Sequence, residues 1–239
     1  MLVVVCALCA IAVASASATE VLFALSKGTF PATFTSKGGK AKLQTLAGNT
    51  VECQTVTDKG TIGSATEGKG ETAHLGSSEV KFKECETESL LGKVTCQTGS
   101  TSGEIVITSA EFHLGLTTIS STHVPAILFL LPEGSSVENP LGGKFKFKCS
   151  VGKVEVTGDV VGTLENSIGK FKKTANVEFA QSTGGKQNTT EFLLSLTKPE
   201  NELMTGQHLT TKTTIFSTET SESGETTIDT LEGFENSKK

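Results

Sequence analysis

The sequence predicts an all-β fold, either a β-sandwich or a closed β-barrel of many short antiparallel strands. Several segments alternate apolar and polar residues with a period of two, which is typical of a half-buried strand. Turn clusters rich in glycine and serine separate these segments at short intervals. No stretch carries a sustained apolar repeat at helical period. Together these observations favour a sandwich or barrel over alternating strands and helices.

The clearest strand is predicted at residues 144–149. Phe145, Phe147 and Cys149 share one face there, and three lysines occupy the other. The same alternation predicts strands in five further segments, which are 51–54, 79–83, 111–116, 176–179 and 191–196.

Residues 124–131 are apolar throughout and therefore differ from the alternating strands. A run of this length is too short to span a membrane and too uniformly apolar for a strand with one face in water. We expect a strand that is covered on both faces. A loop in contact with lipid is the alternative.

The first eighteen residues have the features of a cleaved signal peptide. An unbroken apolar run extends from Leu2 to Val13, and the small residues that follow end in an Ala16-Ser17-Ala18 cleavage pattern. A retained membrane anchor is the alternative, but a spanning helix needs about 20 apolar residues. We therefore expect a protein that is extracellular or at the cell surface, with no stable membrane insertion after cleavage.

The predicted domain boundaries follow from this signal peptide, called the leader below. Residues 1–18 form the signal peptide, and residues 19–231 form a β domain. A weak internal sequence similarity gives the alternative of two similar β units, at 19–150 and 151–231. Residues 232–239 are predicted to be a flexible tail.

The cysteines predict a disulfide framework. Two of the six lie within the leader, and an even set of four then meets an oxidising compartment: Cys53, Cys85, Cys96 and Cys149. Four cysteines allow three pairings. We expect Cys85–Cys96, because these residues flank a short bend, and Cys53–Cys149 as the remaining pair. Among these four cysteines, no C-x-x-C spacing or neighbouring histidine indicates a metal site, so we expect none.

Composition limits the expected partners. The net charge is −5, and all 21 basic residues are lysines, which argues against a nucleic acid or an anionic membrane surface. The chain has no Trp, Tyr or Arg, the side chains that most often dominate protein interfaces. A cell-surface or protein partner remains open, and we expect no cofactor.

No catalytic constellation stands out in the sequence. The histidines are His74, His113, His123 and His208. His113 and Glu111 lie two residues apart on one predicted strand and form an acid–base or metal fragment, but a solvated strand face explains them more simply. Neither H-E-x-x-H nor G-x-S-x-G is present. We expect no catalytic residues.

Several short motifs carry a family resemblance. They are Phe82-Lys83-Glu84-Cys85, Val94-Thr95-Cys96 with the following Gly103-Glu104-Ile105, Leu131-Pro132 and Phe147-Lys148-Cys149. In this pattern the chain resembles a group of secreted, Gly/Thr-rich all-β proteins of soil actinobacteria. The resemblance covers most of the mature chain and implies export and an all-β fold. It implies no activity, cofactor or functional residue.

The sequence thus predicts a secreted or cell-surface protein with a structural or interaction role and no catalytic activity. One alternative is a β-barrel that binds an apolar small molecule, which the phenylalanines and residues 124–131 would favour. The other is a secreted hydrolase that uses His113 or another histidine.

Overall fold

The computed structural model describes residues 2–8, 10–11, 23–24, 31–44, 50–63, 72–73, 75–90, 92–134, 143–157, 159–164, 172–179, 192–193, 209–215, 223–228 and 230–235. Over these ranges the chain forms strands and turns and no helix. The strands build two curled antiparallel sheets that form half-barrels, which confirms the predicted all-β class.

The strands are, in chain order, β1 (Leu2–Leu8), β2 (Ala10–Ile11), β3 (Phe23–Ala24), β4 (Ala32–Gly38), β5 (Lys40–Gln44), β6 (Thr50–Cys53), β7 (Thr55–Ile62), β8 (Thr72–Ala73), β9 (Leu75–Lys83), β10 (Glu86–Ser89), β11 (Gly92–Gln97), β12 (Ile105–Ile119), β13 (Thr122–Leu130), β14 (Lys144–Cys149), β15 (Gly152–Thr157), β16 (Asp159–Leu164), β17 (Lys172–Glu178), β18 (Phe192–Leu193), β19 (Leu209–Ile215), β20 (Ser223–Ile228) and β21 (Thr230–Glu235).

The first sheet contains nine strands in the order β13-β16-β17-β1-β4-β7-β9-β12-β18, and β13 also pairs with β12. The second sheet contains nine strands in the order β20-β19-β15-β14-β11-β10-β6-β5-β21. A small third sheet has the order β2-β3-β8. Both large sheets take strands from before and after residue 150.

The main core lies between the two large sheets. Phe34, Val56 and Phe112 contribute from the first sheet, and Phe147 and Val156 contribute from the second. Each comes from the apolar positions of an alternating strand, so the face predicted for residues 144–149 is confirmed. Burying the apolar faces of both sheets against each other is the main stabilising contribution.

Aromatic rings from different parts of the first sheet contact one another within this core. The ring centroids of Phe34 and Phe112 are 5.7 Å apart, those of Phe112 and Phe129 are 5.6 Å apart, and those of Phe129 and Phe179 are 5.8 Å apart. Gly76 lies opposite Phe112 in the strand pairing, and a Cβ atom there would collide with the Phe112 ring. The glycine therefore allows this ring to lie against the backbone of β9.

The long strand β12 changes its inward face at a β-bulge. The register with β9 shifts between Ile107 and Ala110, and Ser109 adopts a positive φ of 57°. The extra residue lets Ala110, Phe112 and the apolar positions after it face the core, as predicted for residues 111–116.

Strand β13 is covered on both faces, as predicted for residues 124–131. Ile127 and Phe129 pack in the main core, whereas Leu128 and Leu130 join a second apolar cluster with Phe192. Because both sets are removed from water, the strand needs no polar alternation.

The four cysteines form one row across the second sheet. Pairing of Glu86 with Glu52 places Cys85 beside Cys53, and Cys96 pairs directly with Cys149. The Cys96 N–H also donates a hydrogen bond of 2.9 Å to the Cys85 carbonyl oxygen. The row therefore runs Cys53, Cys85, Cys96, Cys149, and all four side chains are buried.

The disulfides join the first two cysteines of this row, Cys53 and Cys85, and the last two, Cys96 and Cys149. The predicted pairing of Cys85 with Cys96 and Cys53 with Cys149 is wrong. Cys53 and Cys149 stand three strand spacings apart, about 14 Å, which exceeds the reach of about 7 Å between bridged Cα atoms. Cys85 and Cys96 are also neighbours in the row, but a bridge between them would leave Cys53 and Cys149 without a partner in reach.

The segment predicted as a leader contains β1, which pairs with β4 on one side and β17 on the other. Residues 12–18, with the predicted cleavage site, lie outside the described residues. Strand β21 extends to Glu235, within the segment predicted as a tail. Over the described ranges, no helix is long and apolar enough to cross a membrane.

Candidate functional site: an apolar cavity between the two sheets

A cavity of about 130 Å³ lies between the two large sheets. Val80, Ile107 and Phe129 line it from the first sheet, and Leu43 and Phe145 line it from the second. An engineered cavity of roughly 150 Å³ with similar aliphatic and aromatic walls stays dry and binds benzene. The cavity is therefore of the size and chemistry that accept a small apolar molecule.

Small side chains leave this space open in the core. Ala41 of the second sheet and Ala110 of the first both line the cavity and are buried. The chain has no Trp or Tyr, so phenylalanine is its only aromatic residue for filling gaps between the sheets. A well-packed interior rarely leaves voids larger than a water molecule, so a cavity of this size is a distinctive feature.

Asp58 is one of two buried carboxyl groups in the cavity wall. It lies on β7, shares the inward face of Val56 and Ile62, and is 3% exposed. Burial raises its pKa from 3.8 to about 7, and hydrogen bonding from the Ser78 side chain and the Lys59 backbone opposes this shift. Asp58 Oδ1 has no partner among the described residues.

Asp159 is the second buried carboxyl group. It begins β16, pairs with Leu130 and is 1% exposed. Burial raises its pKa from 3.8 to about 7. Neither of its side-chain oxygens has a hydrogen-bond partner in the described part of the chain. A buried polar group left without a partner costs about 1–3 kcal/mol, so such a group calls for an explanation.

Sequence reasoning missed both aspartates. The sequence shows three scattered Asp residues and no acidic cluster. A signal was nevertheless present at Asp58, which occupies an inward position of an alternating strand between Val56 and Ile62. A carboxylate on the inward face of a strand is costly unless it is paired or functional.

The predicted fragment of Glu111 and His113 does form a contact, with Glu111 Oε1 3.1 Å from His113 Nε2. The solvated strand face expected there is wrong at one of the two positions, because the His113 side chain is 1% exposed and that of Glu111 is 55% exposed. Leu128 of β13 lies opposite His113 and is itself fully buried. Neither Glu111 nor His113 lines the cavity.

The other histidines and the cysteines do not extend the site. His123 is exposed, with its Nδ1 3.0 Å from Thr118 Oγ1, and His74 and His208 lie outside the described residues. Of the cysteines, Cys53 lines the cavity, where its sulfur is held in a disulfide. Within the described ranges, no three His, Cys, Asp or Glu side chains are grouped as metal ligands.

Comparison with known proteins adds no relative. No protein family, curated protein or solved structure matches the chain. The predicted resemblance to secreted actinobacterial proteins therefore stays a prediction, and the candidate site rests on its own geometry.

Proposed function

We propose that this protein is a secreted, non-enzymatic binding protein that holds a small apolar molecule between its two sheets. The observation that carries the proposal is the cavity of about 130 Å³ with walls of aliphatic and phenylalanine side chains. Binding sites for small molecules are concave and mostly apolar, with a few polar groups that orient the ligand. Asp58 and Asp159 belong to the wall, but the surface that the cavity offers a ligand is apolar.

Export is part of the same proposal. The buried disulfides Cys53–Cys85 and Cys96–Cys149 support it, because such bonds persist in oxidising compartments and are rare in the cytosol. The apolar start of the chain and its Ala16-Ser17-Ala18 pattern supply a route of export, and cleavage there would remove β1 from between β4 and β17.

Binding can be tested with benzene as the probe and the full oxidised protein as the sample. A ligand that binds only the native state raises its melting temperature. Ala110→Leu would fill the cavity, because Ala110 lines it. Ala32→Leu is the matched control, because Ala32 packs against the core without lining the cavity.

We expect saturating benzene to raise the melting temperature of the wild type and of Ala32→Leu, each compared with its own ligand-free state. Ala110→Leu should show a much smaller rise. The absence of any rise in the wild type, or an equal rise in Ala110→Leu, would contradict the proposal. In that case the structural or interaction role predicted from the sequence would be favoured.

A further inference from the structure

The two buried carboxyl groups of the cavity wall lie out of reach of the space that a ligand fills. The surface of the cavity is apolar, and Asp58 Oδ1 and both carboxyl oxygens of Asp159 are inaccessible and lack a hydrogen-bond partner among the described residues. A neutral carboxyl group is tolerated in such a place, whereas an ionised one needs water or hydrogen-bond donors. Each aspartate therefore fits the dry wall only while it keeps its proton.

The two aspartates differ in how firmly the first sheet holds them. Asp58 lies inside β7, which pairs with β4 on one side and β9 on the other, and the Lys59 N–H donates a hydrogen bond to its carboxyl group. Asp159 is the first residue of β16 and pairs with Leu130, the last residue of β13, so this pair ends the ladder between the two strands. The ends of strands open more readily than their centres. Asp159 is therefore the position at which the wall opens most easily.

We propose that ionisation of Asp159 draws its carboxylate into water, opens the cavity wall and releases the bound apolar molecule. This inference rests on the proposed binding function and concerns the regulation of the same site. Leu130 lies opposite Asp159 and Val160 follows it in the chain, and both line the cavity, so movement of Asp159 disturbs the wall directly. An apolar ligand loses its dry surroundings when water enters the cavity. The protein therefore holds its ligand while Asp159 is neutral.

The other ionisable groups around Asp159 are the same in every protein that the test compares. Asp58 and Lys42 also line the cavity. The titratable residues on the strands packed against Asp159 do not line it, and these are the lysines of β14, Lys153 and Glu155 of β15, His123 of β13 and Glu178 of β17. A change in pH dependence that is seen only when Asp159 is replaced therefore belongs to Asp159.

The pH at which the ligand leaves follows from the burial of Asp159, which raises the pKa of this carboxyl group from 3.8 to about 7. The group is almost fully neutral at pH 5.5, and only about one-tenth of it is neutral at pH 8. Since only the neutral form keeps the wall closed, the apparent affinity should fall in proportion to this fraction, by about tenfold. Burial raises the pKa of Asp58 to about 7 as well, but its place inside β7 makes its effect on the wall smaller.

The test measures the affinity of toluene for the full oxidised protein by NMR titration at pH 5.5 and pH 8. Toluene has no titratable group, so any change in affinity comes from the protein. Wild-type affinity should fall about tenfold between the two pH values. Asp159→Asn cannot ionise and should bind toluene equally at both, whereas Asp58→Asn should keep most of the fall. Equal wild-type affinity at both pH values, or a full fall in Asp159→Asn, would overturn the inference, and loss of the fall in Asp58→Asn alone would overturn the assignment to Asp159.

A second measurement uses the wild type alone, so it does not depend on the folding of a variant. Coupling between two binding equilibria is reciprocal, so a ligand that needs the neutral carboxyl group must raise the pKa of that group. Saturating toluene should therefore raise the pKa of Asp159, followed by the chemical shift of its carboxyl carbon. An unchanged pKa overturns the inference. Loss of all native backbone signals at pH 8 without ligand also overturns it, because the chain would then unfold rather than open locally.

Failure of this inference differs from failure of the proposed function. Toluene binding of equal affinity at pH 5.5 and pH 8 would overturn the release by ionisation and leave apolar binding intact. Binding at neither pH, together with no effect of benzene on the melting temperature, would contradict both.

Discussion

Replacing the buried aspartates with asparagine should change how the stability of the protein depends on pH. The pKa of Asp159 is about 7 in the folded protein and close to its ordinary value of 3.8 in the unfolded chain. The native state therefore binds more protons than the unfolded state between these values. The free energy of unfolding consequently falls as the pH rises from about 4 to about 7, and this loss is complete above the folded pKa.

The magnitude follows from the two pKa values. The pKa of Asp159 rises from 3.8 in the unfolded chain to about 7 in the folded protein. At about 1.4 kcal/mol per pKa unit, this shift changes the free energy of unfolding by about 4 kcal/mol. Between pH 5 and pH 8 the free energy of unfolding of the wild type should fall by about 3 kcal/mol because of Asp159. Asp58 has the same shift to about 7 and should contribute a similar loss.

Urea unfolding of the oxidised, ligand-free protein at pH 5 and pH 8 measures the effect. All other titratable groups are present in every variant, so their contribution cancels in the comparison. Asp159→Asn cannot titrate and should lose about 3 kcal/mol less stability than the wild type between the two pH values. If the wild type and Asp159→Asn lose equal stability, the burial argument for this carboxyl group is refuted.

Three further predictions test the fold and its export. Digestion without reduction should yield a peptide in which Cys53 is linked to Cys85, and a Cys53–Cys149 peptide would contradict the cysteine row. Replacing Cys53 and Cys85 with alanine should lower the free energy of unfolding by about 4 kcal/mol in the chain-entropy model. Gly60→Ala should destabilise the protein by about 1–3 kcal/mol in thermal or urea unfolding, because a Cβ atom there meets the Ser77 carbonyl oxygen. Gly99→Ala is the control, since a Cβ atom there meets nothing within 4 Å, and equal losses would refute the packing argument. Terminal sequencing of the natural extracellular protein should begin at Thr19, and an intact Met1 would count against cleavage.

Local sequence patterns correctly predicted much of the fold. Alternation at residues 144–149 correctly placed Phe145, Phe147 and Cys149 on one face, because successive side chains of a strand point in opposite directions. The uniform apolar run at 124–131 correctly indicated a strand covered on both faces, since both of its side-chain rows need burial. These inferences needed only neighbouring residues.

The candidate site could not be predicted in the same way. Asp58 and Asp159 are 101 positions apart, and neither belongs to a motif. They share one cavity only because β7 and β16 both belong to the curled first sheet that faces the second. His113 was likewise expected in water, since its own strand gives no sign that the opposite face is also covered.

The sequence by itself determined the all-β class, the inward faces of the strands and an even set of four cysteines available for pairing. Tertiary structure alone decided that Cys53 meets Cys85, that Cys96 meets Cys149, and that two carboxyl groups line one apolar cavity. The physical reason is the separation along the chain of the residues that interact in each case. Side-chain alternation is a property of consecutive residues, whereas register and the packing of sheets depend on strands that are distant in the chain and meet only when the core is buried.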